Sequence, residues 1–275
     1  MLQFSILVKL PSGRSIRVTE LSNKLYLNLI KYSENRDFEG LNRFFIELLN
    51  IPTDLDIIDR LYLLIYYRMV FISDSIIFTN KDNRSLEFKL ELILEKLEKY
   101  NIDYSSVIEE KDIKINLGLP TVIYFDDNYN IFNSVIRNIQ IKDTIIEFNK
   151  LSVKERDNIL TLLPSRLATK INNYIDTLRK EIGEVILIEG KEEFDIQQYS
   201  VDILSNRTML FVCSLYSHNL IDYFETLYGY VTKISADPEF HNSLSPVETR
   251  IMLNIHNKEV EKENKELKNQ QQQIQ

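Results

Sequence analysis

The apolar positions of this chain are densest between Asp54 and Phe78, in the run DLDIIDRLYLLIYYRMVFISDSIIF. Ile57, Leu61, Leu64, Ile65 and Met69 recur at the i, i+3, i+4 spacing of a helix face. Leu63, Tyr66, Val70 and Phe71 fill much of the opposite side. The pattern predicts a helix apolar nearly all round, which only a surrounding core accommodates. Asp54, Asp56 and Asp59 fall at its first turns, where carboxylates favour the positive end of the helix dipole. The run is too short, and too interrupted by Arg60 and Arg68, to span a bilayer.

The other elements arrange themselves around this one. Leu2 to Leu10 and Ser15 to Thr19 read as two strands joined by the turn Pro11-Ser12-Gly13, a β-hairpin. Ser22 is placed to cap a first helix, and Gly40 separates it from a second, Leu41 to Leu49, which Pro52 ends. Ser75 to Thr79 is strand-like, and Leu86 to Glu98 reads as strand then helix, an order that pattern alone leaves undecided. Lys111 to Leu117 alternates as a half-buried strand, broken by Gly118-Leu119-Pro120, with a short strand expected at Val122 to Phe125.

Asp126-Asp127-Asn128 is a polar break and the expected domain boundary, beyond which the texture turns helical. Ser152-Val153-Lys154-Glu155 has capping-box spacing, and Leu163-Pro164-Ser165 opens a helix to about Glu181. Val185 to Ile188 suits a short strand. Thr208 to Ile234 reads as the longest periodic helix, with Met209, Val212, Tyr216, Leu220, Tyr223, Leu227 and Val231 in one stripe. Ser245-Pro246-Val247-Glu248 is a second capping box, with proline at the first helical position. From Lys258 the chain is rich in Lys and Glu and ends NQQQQIQ, so a frayed or disordered tail is expected. The fold class is therefore mainly α with a small β component (α+β), in three parts: residues 1–126, 127–257 and a tail at 258–275.

Composition narrows the function classes. A chain that is 44% apolar and 27% charged reads as an ordinary soluble globular protein. A net charge of −8 with no basic cluster disfavours phosphate-gripping nucleic-acid binding. A single cysteine, Cys213, forms no internal disulfide, which fits a reducing compartment, and its apolar neighbours mark it as a core side chain. Met1 to Leu10 lacks the basic and long apolar regions of a secretory leader.

No catalytic motif emerges. His218, His241 and His256 match no metal-ligand spacing, and the adjacent Asp126 and Asp127 lack the further ligands of a calcium loop. With six glycines there is no phosphate-cradling loop, and no G-x-S-x-G elbow. No cofactor, metal or catalytic residue is therefore expected. Arg60 and Arg68 stand out, because a charge inside so apolar a helix needs a carboxylate or carbonyls. Asp56 and Asp74 are the local candidates for an internal ion pair, and an interface with a partner chain is the second reading. Tyr26, Tyr62, Tyr66, Tyr67, Tyr216, Tyr223, Tyr228 and Tyr230 concentrate on helices, as core first and protein interface second. A non-enzymatic cytoplasmic nucleic-acid binder that stacks bases on these rings is the alternative class, but stacking also needs a positive groove.

Three blocks carry a resemblance. KLPSGRSIRVTELSNKLYLNLIK, then DLDIIDRLYLLIYYRMVFISDSI with Asp59, Arg68 and Ser73 or Ser75, then INLGLPTVIYF with Pro120, stand in the order and spacing of one family. LSVKERDNILTLLPS and LSPVETRIML extend the likeness into the C-terminal half. Together they resemble the baseplate protein family of T-even-like, contractile-tailed bacteriophages. One departure is that many members carry a glycine after the serine of the central helix, and FISDSIIF has none, so the turn there is expected to differ. The resemblance implies a structural subunit of the baseplate hub or a factor that assembles it, in the virion tail or in the host cytoplasm during assembly. It implies partners among other hub or tail proteins, leaves self-association open, and carries no membrane role and no enzymatic activity.

Overall fold

The computed structural model describes residues 4–79, 85–100, 103–121, 128–189, 198–205, 207–217, 220–234 and 237–273. The chain opens with β1 (Ser5–Lys9) and β2 (Ser15–Thr19), antiparallel with Val8 opposite Ile16 and Ile6 opposite Val18. Gly13 turns the hairpin at φ +86°, a backbone region that only glycine enters freely. Helix α1 (Asn23–Glu34) starts at Ser22, whose side chain accepts from the Leu25 amide, as its position predicts.

Helix α2 (Phe38–Glu47) corrects one expectation. Gly40 does not separate two helices; it lies in the first turn of α2, where its amide donates to the Asp37 cap. A Cβ there would come within 2.8 Å of the Tyr32 ring, so glycine serves close packing rather than a break.

The central helix α3 (Ile57–Phe71) is buried continuously from Ile57 to Ile65, and again at Tyr67 and Phe71. It is apolar on nearly every side because neighbours cover it, from β2, whose Thr19 carbonyl accepts from Tyr67, to Tyr216 far along the chain, which donates to the Leu64 carbonyl. Then come β3 (Ser75–Thr79), paired with β4 (Ser85–Lys89), and α4 (Leu90–Glu98), which packs on α3. The strand-then-helix order of 86–98 is thereby decided.

A four-stranded antiparallel sheet follows, β5 (Ser106–Glu110), β6 (Ile113–Leu117), β7 (Ile136–Ile141) and β8 (Thr144–Glu147), in that order. Ile115 stands opposite Ile139, and both are fully buried. Helix α5 (Asn128–Val135) lies between β6 and β7 in sequence. The division expected at residue 126 thus falls inside this sheet, and β7 and β8 add strand where the pattern pointed to helix. Val122 to Phe125, Asp126 and Asp127 lie outside the described residues.

Helix α6 (Val153–Thr161) begins with the expected Ser152–Glu155 capping box, and α7 (Ser165–Ile182) crosses β5, donating from Lys170 Nζ to the Glu109 carbonyl. Strands β9 (Glu184–Glu189) and β10 (Gln198–Asp202) form a separate pair. The long helix expected from Thr208 to Ile234 is two helices, α8 (Arg207–Tyr216) and α9 (Leu220–Ile234). The break lets Tyr216 reach α3 and Tyr223 reach α1, two directions that one straight helix does not serve.

Helix α10 (Pro238–Ser243) leads into α11 (Pro246–Gln273). Ser245 and Glu248 close the expected reciprocal cap: the Ser245 amide donates to Glu248 Oε2 at 2.8 Å, and the Glu248 amide to Ser245 Oγ at 3.1 Å. Helix α11 carries on through the segment where fraying was expected. Helices with several small sheets, and helices dominating the C-terminal half, make the fold α+β.

Candidate functional site

The two arginines of α3 donate to backbone carbonyls. Arg60 is 3% exposed, and its Nη2 donates to the Pro52 carbonyl at 3.1 Å. Arg68 donates from Nη2 to the Ser75 carbonyl at 3.2 Å. The Nε atoms of both are buried without a partner. Burial pulls the Arg60 pKa down to about 10, with Asp54 and Asp56 acting against the shift. Burial lowers that of Arg68 as well.

The carboxylates named with them have other work. Asp56 caps α3, accepting from the Asp59 amide at 2.9 Å, and its pKa is raised by burial above the usual carboxylate value. Asp74 takes Lys89 at 3.3 Å in an exposed pair that water screens. Asp54 takes both guanidinium nitrogens of Arg14, also at the surface. Among the described residues, the hydrogen bonds that Arg60 and Arg68 make go to backbone carbonyls.

Two clefts border this framework. One, of about 380 Å³, is polar and lies at the N-terminal end of α3 between the β1–β2 turn and the end of β6. Ser12, Asp56, Asp103 and Arg137 line it, and Arg137 is fixed by donating to the Leu119 carbonyl. Burial holds the Arg137 pKa below its ordinary value. The second, also about 380 Å³, lies among α1, α9, α10 and α11. At its floor Asn23 Nδ2 donates to the His241 carbonyl at 2.9 Å and to Thr249 Oγ1 at 2.6 Å, and the Tyr223 hydroxyl donates to the Asn23 carbonyl at 3.3 Å. All four residues are buried. Sequence reading passed over this network because Asn23, His241 and Thr249 are far apart in the chain and follow no motif. The one local signal was a polar Asn23 at the start of an amphipathic helix.

His241 gives this cleft a pH dependence. It is 2% exposed, its Nδ1 has no partner, and burial pulls its pKa below the ordinary 6.5, against a hydrogen bond with Asn242. The unfolded chain therefore binds the proton at a higher pH than the folded one. His241's contribution is complete above pH 6.5 and is lost as the pH falls through the folded pKa. Urea midpoints should drop from pH 6.5 downward in the wild type, and drop less in His241→Gln. Parallel curves would show that His241 is not the group responsible.

The remaining candidates resolve simply. Cys213 is buried, and burial pushes its thiol up to about 11, which suits a packed side chain rather than a nucleophile. Tyr26, Tyr62, Tyr67, Tyr216, Tyr223 and Tyr230 are buried in the core, whereas Tyr66 is half-buried and Tyr228 is 72% exposed. His218 lies outside the described residues, and His256 is half-buried on α11. Among the described residues, no three His, Cys, Asp or Glu side chains gather where they would hold a metal ion, and no helix is long and apolar enough to cross a membrane.

Comparisons with curated proteins and with solved structures return no match. The family model described as T4 bacteriophage base plate protein matches residues 1–188, which span strands β1 to β8, the α3 framework and the polar cleft. The chain belongs to the T4 bacteriophage base plate protein family.

Proposed function

We propose that this protein works in the baseplate hub of a phage tail, as a structural subunit or as a factor that assembles the hub, through protein contacts alone. The family supports the baseplate setting. The observation that carries the contact role is the outer surface of the three packed C-terminal helices. Phe224 (49% exposed) and Tyr228 (72% exposed) lie one turn apart on α9, Phe240 is exposed on α10, and Ile251 and Ile255 are exposed on α11. Exposed aromatic side chains are among the residue types that protein interfaces favour. Other hub or tail proteins are the partners, in the virion tail or in the host cytoplasm during assembly.

Quantitative mass spectrometry of purified particles and of assembly intermediates tests the reading and separates its two versions. A fixed copy number in mature particles makes the protein a structural subunit; presence in intermediates alone makes it an assembly factor. Absence from both overturns the proposal.

A further inference from the structure

We propose that the cleft among α1, α9, α10 and α11 receives the C-terminal end of a partner polypeptide: an aromatic side chain enters it, and the α-carboxylate stays at its mouth. This rests on the reading that the protein works through protein contacts, and it names the chemistry of one such contact. The cleft holds about 380 Å³, within the range of about 300–1,000 Å³ that ligand pockets span.

The inside is shaped for a ring. Tyr26 and Tyr223 wall it, with their rings edge to face at 6.4 Å, and Pro246 and Leu253 add apolar surface. An entering ring meets aromatic and aliphatic neighbours. At the floor, the bonds from Asn23 to His241 and Thr249 tie α1 to α10 and α11, so the cavity is preformed. The chain does not meet every polar atom there: His241 Nδ1 is buried and has no partner.

The mouth decides the head group. Arg250, Asn254 and Asn257 share one face of α11 and are exposed, and exposed Thr226 of α9 lines the cleft with them. Among the described residues that line the cleft, Arg250 is the one permanent cation, and none is an aspartate or glutamate, in a chain whose net charge is −8. One Arg250 nitrogen donates to the Ile72 carbonyl at 3.3 Å, and a guanidinium has further donors to offer an anion. Pro246 and Thr249 bring the first turn of α11 to the same cleft, and a helix N-terminus favours negative charge. A carboxylate is the head that fits. Asn254 and Asn257 each carry a donor and an acceptor, the complement of a peptide N–H and C=O. A chain leaving through the mouth pairs with them, whereas a free aromatic acid leaves both amides to water. That selects the end of a polypeptide.

The test uses the full chain and short indole probes. The chain has no tryptophan, so indole fluorescence reports the probe alone. Acetyl-Gly-Trp with a free carboxylate should bind saturably, one per chain. Its C-terminal amide should bind about tenfold more weakly, and so should indolepropionate, which keeps ring and carboxylate without the peptide groups. Arg250→Gln should remove the preference for the carboxylate. Thr226→Phe, which fills the mouth from an exposed position on α9, should abolish binding of every probe and leave the urea midpoint of unfolding unchanged. Equal binding of acid and amide overturns the carboxylate head, and indolepropionate binding as tightly as the peptide overturns the polypeptide in favour of a free acid. No saturable binding, or binding that Thr226→Phe leaves intact, overturns the site. Presence in particles or intermediates is read separately by mass spectrometry, so failure here leaves the baseplate reading standing.

Discussion

Phe45→Ala should lower the unfolding free energy by about 3–5 kcal/mol, the range for removing a fully buried aromatic ring. Phe45 is 1% exposed and sits where the two ends of the chain meet. Its ring stands edge-on to Phe44 at 6.2 Å and tilted against Tyr216 of α8 at 5.7 Å. Tyr216 in turn donates its hydroxyl to the Leu64 carbonyl of α3 at 2.6 Å. Deleting the Phe45 ring leaves a cavity beside Tyr216, whose hydroxyl is aimed at α3. Chemical denaturation checks the value. Phe224→Ala, at a half-exposed position on α9, should cost less than about 1 kcal/mol in the same measurement. Equal losses at the two positions would show that the α2–α8 contact does not carry the core.

Asp59→Ala should cost about 3 kcal/mol. Asp59 is 2% exposed, in the first turn of the deeply buried helix α3, yet it serves a residue 47 positions earlier. The Ser12 amide donates to Asp59 Oδ1 at 3.0 Å, and the Ser12 hydroxyl donates to Oδ2. Hydrogen bonds to a carboxylate contribute about 1.5–3 kcal/mol each, and losing the acceptor returns both donors of the exposed Ser12 to water and unties the hairpin turn from α3. Ser12→Ala removes the hydroxyl donor alone and keeps the amide bond, so it should cost less than half as much. The double variant should cost less than the sum of the singles, because both act through one contact. Additive losses would mean that the turn and the helix are not coupled.

Asp59 also marks where reading from sequence stops. Local periodicity and capping chemistry act over a few residues, and those parts were legible: the hairpin around Gly13, the Ser22 cap, the capping boxes at Ser152 and Ser245, and the all-round apolar α3. The baseplate family was legible too, because its blocks stand in order along the chain. Partners chosen across long separations, or among backbone carbonyls nearby, were not. A helical carboxylate looks the same whether it serves the dipole or reaches Ser12, and Arg60 and Arg68 look the same whether a carboxylate or a carbonyl answers them. Carbonyl oxygens belong to every residue, so no side-chain pattern points to them. The split between α8 and α9 has the same origin: periodicity continues through it, and only the separate destinations of Tyr216 on α3 and Tyr223 on α1 require a change of direction. Sequence by itself determined which faces are apolar and where helices start. Tertiary structure decided which face meets which, because pairing energy depends on groups brought together only after the chain has closed loops of 47 to 226 residues.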